Sequence, residues 1–279
     1  MRIIGIHLSI SGGPHLALEK AEILGIRAMQ IFLKNSNRWS SKPYTDEIIN
    51  KFHAARNGLP DIRIFAHAGY LINLAGSGET HKKSLIALSD ELSRAAELGI
   101  EFLVLHPGSH GGKGMQYGIE RAAETLSQAF KNNKSTKILI ETTAGQGTSI
   151  GYRFEQLRDI IDKSHRHEQL GICLDTSHIF AAGYDFTTKK SLNSMLTEFN
   201  EIIGLEKLKL IHVNDSKKEC GSRIDRHEHI GKGHIGTKGF SLALNDPKIR
   251  AVPMILETPK FNDEEADRMN LKKLWSLIR

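Results

Sequence analysis

The stretch AEILGIRAMQIF (21–32) and its counterpart AAELGIEFLVL (95–105) decide the fold. In both, a helical pattern with apolar residues three and four positions apart stops at a glycine, Gly25 or Gly99. A short run of apolar residues follows at once, as in a strand that is covered on both faces. The repetition predicts helix-to-strand units that build a parallel sheet.

Eight such apolar runs occur along the 279 residues, each bounded by Gly, Pro, Asn, Asp or Ser. They are RIIGIHLS (2–9), AMQIFL (28–33), IRIFAHAG (62–69), EFLVLHPG (101–108), KILIETTAG (137–145), LGICLDTSH (170–178), LKLIHVND (208–215) and VPMILETP (252–259). Helical patterns lie between them, including one that Thr45 can cap at its start. With no linker to divide the chain, we predict an α/β fold: one (β/α)8 TIM barrel, 1–279, as a single domain. Its active site is expected at the C-terminal ends of the strands.

Composition narrows the class of protein. The net charge is +6 and the pI about 9.2, which modestly favours an anionic partner such as nucleic acid. No apolar stretch is long enough to span a bilayer, and the N-terminus has no signal pattern, so we expect no membrane partner. Two cysteines, Cys173 and Cys220, make no disulfide framework. We therefore expect a cytoplasmic, bacterial-type protein that associates with the nucleoid when it acts on DNA.

Six of the eight runs end on a residue that can bind a metal ion. Parallel strands of a barrel bring their C-terminal ends to one face, so these side chains should converge. The six are His67, His106, Glu141, Asp175, His212 and Glu257. Carboxylates combined with imidazoles fit Zn2+ best, with Mn2+ as an alternative ion at one or more sites.

Three further residues extend this set. His178 follows Asp175 by three positions, and Asp225 and His227 stand two apart in the glycine-rich loop RIDRHEHIGKGHIG (223–236). On an extended segment, side chains two apart point the same way. Because one zinc takes three or four protein ligands, nine candidates predict more than one ion. His7 also ends an apolar run, and the pattern gives it no role.

The chain resembles endonuclease IV, the zinc-dependent apurinic/apyrimidinic (AP) endonucleases of AP endonuclease family 2, from its first strand to its last. The stretches LDTSHIFAAGYD (174–185) and GSRIDRHEHIGKGHIG (221–236) are long and specific. The others are GIHLSISGG (5–13), FLKNSNRW (32–39), HAGYLINLAG (67–76), HPGSH (106–110), ETTAGQGTSIG (141–151), HVNDSK (212–217) and LETP (256–259).

This resemblance implies a site of three zinc ions. His67 and His106 would hold the first ion, and Glu141 would bridge it to a second. Glu141 and Glu257 are the implied catalytic residues. Asp175, His212 and Glu257 complete the second ion's ligands, and His178, Asp225 and His227 hold the third. A metal-bridged hydroxide would attack the phosphodiester. Glu257 is also a candidate general base.

The implied substrate is duplex DNA with an abasic site, cut on the 5′ side to leave a 3′-hydroxyl and a 5′-deoxyribose phosphate. Cleaning of blocked 3′ ends is a second implied activity. Tyr70 and Leu71 match residues that wedge into the duplex at the lesion. Asn37 and Arg38 are further candidate DNA contacts. Asn37 stands where some relatives have arginine, and the neighbouring Arg38 is a candidate to replace that arginine at the DNA. Basic residues of the later loops, which either contact phosphates or form a solvated surface, are Lys217, Lys218, Arg223 and Arg226.

Two alternatives compete with this interpretation. A xylose-isomerase-like sugar isomerase or epimerase shares the barrel and strand-end metals, but it needs one or two ions and no third ligand set. A metal-stabilised nucleic-acid-binding protein would bind DNA without incision. For the nuclease, a monomer is the simplest expectation.

Overall fold

The computed structural model describes residues 2–132, 135–260 and 263–279. Its strands are β1 (Ile4–Leu8), β2 (Ala28–Phe32), β3 (Arg63–His67), β4 (Phe102–Leu105), β5 (Lys137–Glu141), β6 (Leu170–Asp175), β7 (Leu208–His212), β8 (Asp215–Ser216), β9 (His227–Glu228) and β10 (Met254–Leu256). Eight of them form a closed barrel in the order β1-β10-β7-β6-β5-β4-β3-β2, and every neighbouring pair is parallel. Each barrel strand lies within one of the eight predicted runs, so the predicted TIM barrel is confirmed.

Helices connect the strands on the outside of the barrel. They are α1 (Pro14–Leu24), α2 (Asp46–Asn57), α3 (Gly78–Glu97), α4 (Met115–Ala129), α5 (Phe154–Lys163), α6 (Thr176–Ala181), α7 (Lys189–Ile202), α8 (Gly236–Asn245) and α9 (Asp263–Leu277). The Thr45 hydroxyl accepts from the backbone N–H of Ile48 and caps α2, as predicted. Gly25 ends α1 with a left-handed φ of 64°, a conformation that glycine adopts without steric cost. None of the helices within the described ranges has the length and apolar content to cross a membrane.

Two apolar cores flank the barrel wall. The larger one fills the space between the outward faces of the strands and the helices. The smaller one lies inside the barrel and takes one residue from each of seven strands, all buried: Ala28, Phe65, Val104, Leu139, Cys173, Leu210 and Ile255. This inner cluster forms a dry floor, because its side chains pack the barrel interior as a core and leave no channel.

One layer above this floor, the inward-facing positions become polar. Strand side chains alternate with a period of two, so the residue two positions after each floor residue also points inward. These residues, with His7 two positions after Gly5, form a ring of one side chain per strand: His7, Gln30, His67, His106, Glu141, Asp175, His212 and Glu257. We call this set the strand ring. His106 and Glu257 lie one residue beyond the ends of β4 and β10.

A small hairpin rises above the ring, and only its first residue, Asp215, belongs to a predicted apolar run. Strands β8 and β9 pair antiparallel, with Asp215 opposite Glu228 and Ser216 opposite His227. The hairpin folds the segment that carries Asp225 and His227 back over the barrel mouth, since His227 itself is part of β9.

Candidate metal centre

The strand ring and the hairpin together place metal-binding atoms in overlapping groups. In each group, every member offers a ligand atom within 4.8 Å of the others. The groups of predicted ligands are His67, His106 and Glu141; Glu141, Asp175, His212 and Glu257; and Asp175, His178 and His227. Eight of the nine predicted ligands thus fall into three groups, and the groups are joined through Glu141 and Asp175.

Glu141 lies at the centre of the site and is fully buried. One carboxylate oxygen, Oε2, is 3.1 Å from His67 Nε2 and 3.0 Å from His106 Nε2. The other, Oε1, is 2.9 Å from His212 Nδ1. Burial by itself raises the pKa of Glu141, but the surrounding imidazoles outweigh it and hold the pKa well below its usual range. The carboxylate is therefore charged, with its two oxygens facing different imidazole groups.

Backbone carbonyls orient two of the histidines. His67 Nδ1 lies 2.8 Å from the carbonyl of Ala68, and His178 Nδ1 lies 2.8 Å from the carbonyl of Thr142. A carbonyl can only accept, so each Nδ1 carries the proton in the neutral ring. The Nε2 lone pair of each ring is then directed into the site, an arrangement common to metal-binding histidines.

The outer group shows that the donor set fits a cation. His227 Nδ1 is 3.2 Å from the carbonyl of Glu257, which leaves its Nε2 unprotonated in the neutral ring. That atom lies only 3.4 Å from His178 Nε2. Asp225 completes the convergence, with Oδ2 3.2 Å from His178 Nε2 and Oδ1 3.5 Å from His227 Nε2. Two imidazole nitrogens and a carboxylate that converge on one point are a donor set that fits a metal ion.

Asp225 is the ninth predicted ligand and has the most exposed side chain of the nine. Its side chain is 40% exposed, whereas that of Asp175 is fully buried. The backbone N–H of Asp225 donates to Gln146 Oε1 at 3.0 Å, which ties the loop to the segment after β5. Gln146 was not predicted from sequence, because an amide that binds a backbone N–H has no recognisable spacing.

Asp175 links the second and third groups and has a partner of its own. Its Oδ1 accepts from the backbone N–H of His178, and its Oδ2 accepts from the Asn214 side-chain amide at 2.7 Å. Asn214 also accepts from the backbone N–H of Glu257 through Oδ1. One buried amide therefore fixes Asp175 and the start of the segment that carries Glu257.

Sequence reasoning missed two members of the strand ring as site residues. Gln30 contacts both His212 and Glu257, and His7 Nδ1 lies 2.9 Å from Glu257 Oε1. Both could have been found from the period of two, since each follows the floor level by two positions like the six predicted strand ends. Cys173 also neighbours Glu141 and His212. Burial raises the pKa of Cys173 to about 12, which keeps the thiol protonated and makes it a poor ligand.

Asp215 is a further unpredicted residue that shapes the site. Its buried carboxylate accepts backbone N–H groups of the glycine-rich loop: Gly231 and Gly233 at Oδ2, and Ile235 at Oδ1. A Cβ on Gly233 would lie 2.3 Å from the carbonyl oxygen of Ser216. The loop therefore needs glycine at this position so that its backbone can wrap the carboxylate.

The predicted DNA contacts line the mouth of the barrel. The Tyr70 side chain is exposed and its ring packs edge-on against Phe32, 5.2 Å between centroids, beside His67. Its backbone N–H donates to the carbonyl of Ser36, which joins the 69–73 loop to the loop of exposed Asn37 and Arg38. Leu71 is half-buried. The exposed basic residues of the hairpin region are Lys217, Lys218, Arg223 and Arg226.

A buried ion pair supports these two loops from below. Lys34, 5% exposed, lies 3.2 Å from Glu91 Oε1 and 2.9 Å from Asp90 Oδ2. The Glu91 carboxylate also accepts from the backbone N–H of Gly69. Because Lys34 precedes one loop and Gly69 begins the other, this cluster sets their separation at the mouth.

Comparison with known proteins agrees with this architecture. A family model described as a xylose isomerase-like TIM barrel matches residues 18–275. A probable endonuclease 4 of Chloroflexus aggregans (strain MD-66 / DSM 9485) is 46% identical over 278 residues, 99% of this chain and 97% of the relative. The crystal structure of endonuclease IV from Thermus thermophilus superposes with a TM-score of 0.88 at 35% identity, covering 99% of this chain and 98% of that one.

A more distant structure shares the fold with much lower sequence identity. The crystal structure of a D-tagatose 3-epimerase-like protein has a TM-score of 0.73 at 21% identity, with 99% of this chain and 98% of that chain covered. At that identity the match shows only a shared barrel. The endonuclease 4 relatives share a much larger fraction of identical residues with this chain and match it over nearly its full length. By these matches, this chain belongs to the endonuclease IV family.

Proposed function

We propose that this protein is a DNA repair endonuclease that hydrolyses the phosphodiester bond 5′ to abasic sites in duplex DNA, leaving a 3′-hydroxyl and a 5′-deoxyribose phosphate. The nine residues predicted from sequence would hold three Zn2+ ions, with Mn2+ as an alternative. Removal of blocks from 3′ ends is proposed as a second activity of the same site. All nine residues lie in one chain, so we propose that the active form is a monomer.

The observation that carries the proposal is the linked set of donor groups at the barrel mouth. Glu141 joins the first group to the second, and Asp175 joins the second to the third. A single mononuclear site has no use for shared carboxylates, whereas clustered ions are held together by them. When bound, divalent ions at these positions would lower the pKa of a water nucleophile and stabilise charge on the phosphate and the leaving oxygen.

The protein's own residues prepare the site before any substrate arrives. The carbonyls of Ala68, Thr142 and Glu257 fix the ring orientations of His67, His178 and His227. Preorganised donors lose little freedom when a ligand binds, which is what a site for a transition state needs. The apolar floor beneath the ring excludes water from below, so charges at the ring interact strongly.

Glu257 takes the role of ligand before that of general base. Burial by itself raises its pKa, but His212 and His7 outweigh that effect and hold the pKa well below its usual range. A carboxylate with a low pKa is a weak proton acceptor and a good ligand. General-base action by Glu257 stays a prediction.

The surface around the mouth supports DNA as the substrate. We propose that Tyr70 and Leu71 wedge into the duplex at the lesion, and that Asn37 and Arg38 follow the same strand from the neighbouring loop. An exposed tyrosine beside a buried charged cluster is suited to fill the space of a missing base. Lys217 and Arg226, with Lys218 and Arg223 near them, would bind phosphates on the hairpin side.

The test is incision of a duplex that contains one synthetic abasic site. The protein is assayed as purified, after prolonged chelation, and after zinc is restored. We expect one nick 5′ to the lesion, lost on chelation and regained with zinc. An undamaged duplex of the same sequence is the control, and a duplex with a 3′-phosphate tests the second activity.

The same samples separate the alternatives. Conversion of a free ketose by metal-loaded protein that leaves abasic DNA intact would favour the sugar isomerase. Tight binding to abasic DNA without a nick would favour a metal-stabilised binding protein.

A further inference from the structure

We propose that Gln30 is a positioning residue that selects the metal-binding atoms of His212 and Glu257. The inference deepens the proposed function and rests on its assignment of these two residues as ligands. Gln30 lies on β2 and is fully buried in the strand ring, where the other members are histidines or carboxylates. A buried amide is costly unless both of its ends have partners, so its contacts identify its role.

Both ends of the Gln30 amide contact proposed ligands across the barrel interior. The amide Nε2 lies 2.6 Å from Glu257 Oε1, and the amide Oε1 lies 2.9 Å from His212 Nε2. Strand β2 adjoins neither β10 nor β7 in the barrel, because β1 lies between β2 and β10, and β10 lies between β1 and β7. The amide Nε2 also lies 3.0 Å from His7 Nδ1 on the neighbouring strand β1, and the amide reaches past this residue to the two ligands.

The chemistry of the partners fixes which end of the amide faces which residue. A carboxylate only accepts, so the amide nitrogen must face Glu257. The amide oxygen is then left for His212 and also only accepts, so His212 Nε2 must carry the proton. A neutral imidazole has one N–H, and the lone pair of His212 is consequently on Nδ1.

This arrangement directs the remaining atoms of both residues into the metal centre. His212 Nδ1 faces Glu141 Oε1 at 2.9 Å and Glu257 Oε2 at 3.1 Å. Glu257 Oε1 is occupied by Gln30 and by His7 Nδ1 at 2.9 Å, so Oε2 is the oxygen left for an ion. One amide thus determines the donor atom of two ligands, as partners behind metal ligands commonly do.

The experiment measures zinc affinity and ligand geometry rather than incision alone. Gln30→Met keeps the length of the side chain and removes both hydrogen bonds. Gln30→Glu keeps an acceptor for His212 and places a second carboxylate against Glu257. Gln156→Met is the matched control, since Gln156 is a nearly buried amide whose Oε1 accepts only backbone N–H groups, those of Gly151 and Tyr152. Each variant is titrated with zinc against a competing chelator, and the Co2+-substituted protein is examined by visible absorption.

We expect both Gln30 variants to bind one of the ions about 10- to 100-fold more weakly, the usual effect of removing a partner behind a metal ligand. Their Co2+ absorption should change, while Gln156→Met keeps the parental affinity and spectrum even if its melting temperature falls. Parental zinc affinity and an unchanged Co2+ spectrum in Gln30→Met would overturn the proposal. If neither Gln30 variant folds without metal, Gln30 is a folding residue and the proposal is wrong.

Failure of the proposed function would look different. A parent protein that binds zinc but leaves abasic DNA intact would refute the nuclease assignment and leave the Gln30 affinity effect measurable. A parent that binds no zinc would refute the metal centre itself, and Gln30 would then have no ligands to position.

Discussion

The candidate metal centre has two regions that are built in different ways. The strand ring contributes Glu141, Asp175 and His212, which are fully buried and attached to a closed barrel. The hairpin region contributes Asp225 and His227, whose side chains are 40% and 19% exposed. It pairs through only two residues of each strand and is shaped by the carboxylate of Asp215. Position is set by the fold itself in the first region and by a few hydrogen bonds in the second.

This difference suggests that the strand ring and the hairpin region have different roles in metal binding. Ligands on rigid elements are held more accurately than ligands on loops, so we expect the ring to hold its proposed ions the longer of the two regions. A segment with few buried apolar contacts opens locally at lower free energy than the barrel. We therefore expect the hairpin region to open more easily than the ring, and an ion held through Asp225 and His227 to exchange more readily than the ions proposed for the ring.

Substitution of the central ring ligand should have the largest effect. Glu141→Gln keeps the size of the side chain and removes the charge that two donor groups share. We expect incision of abasic DNA to fall by roughly 10³-fold, the scale for loss of a preorganised charge-stabilising group. The metal-free variant should still fold, because glutamine has the size of glutamate and the two apolar cores do not include this side chain. Rate measurements under single-turnover conditions and a thermal melt test both statements; incision near the parental rate would refute the central role of Glu141.

Removal of the Asp215 carboxylate, which anchors the glycine-rich loop, should have the second largest effect. Asp215→Ala leaves the N–H groups of Gly231, Gly233 and Ile235 without their acceptor, and hydrogen bonds to a charged group are worth about 1.5–3 kcal/mol each. We expect a destabilisation of at least about 3 kcal/mol and an incision rate reduced by about 10- to 100-fold, through misplacement of Asp225 and His227.

A matched control separates the anchor from the general loss of an aspartate. Asp246→Ala removes a carboxylate whose Oδ1 accepts a single backbone N–H, that of Lys248, at the surface. Urea unfolding and the incision rate should both stay near the parental values for this variant. Equal effects of the two substitutions would show that the glycine-rich loop does not depend on Asp215.

Removal of metal should distinguish the two regions directly. We expect chelation to proceed in two phases, with the ion held through the hairpin residues Asp225 and His227 leaving first and those of the strand ring later. Metal content measured by atomic emission against time in chelator gives the phases. His227→Ala should abolish the fast phase and leave the slow one unchanged. A single phase, or loss of the slow phase in that variant, would contradict the comparison.

The convergence of the strand ring was largely predictable from sequence, whereas the path of the hairpin region was not. His67, His212 and Glu257 follow apolar runs whose period and convergence are fixed by the barrel. Gln30 obeys the same rule and was missed because an amide is an uncommon metal ligand. The partners of Asp215 are backbone N–H groups, which leave no side-chain pattern in the sequence.

The hairpin also lies below the length at which periodicity is informative. Strands β8 and β9 have two residues each, and no alternation can be recognised in two residues. Asp225 and His227 were found as a pair from their spacing. Their distance from His178 depended on the turn made by 215–228, which only the structure shows.

A subtler change in the loop should have an intermediate effect. Gly233→Ala places a Cβ against the carbonyl of Ser216, so the backbone must move away from the Asp215 carboxylate. Such overpacking costs about 1–3 kcal/mol, and we expect a faster first phase of metal loss with the second phase unchanged. Gly236→Ala, in the same loop but with open space at its Cβ, is the control, although its left-handed φ of 66° adds some strain. A larger effect at Gly236 than at Gly233 would mean that backbone conformation, and not the space beside Asp215, requires glycine.

Removing a single positive charge from the hairpin region should have the smallest effect. We expect it to be visible only in the salt dependence of DNA affinity. Lys217 and Arg226 are exposed and adjacent, since the backbone N–H of Lys217 donates to the carbonyl of Arg226. If each binds one phosphate, replacing either by alanine should lower the slope of log affinity against log salt by about 0.9. The binding of abasic duplex is measured from low to moderate salt with chelated protein, so that incision does not interfere.

Lys137→Ala is the control, because Lys137 begins β5 at the opposite end of the barrel and pairs with Glu101 at 2.9 Å. A slope unchanged in the hairpin variants would remove that region from the DNA interface, and its role would then be limited to holding the outer ligands.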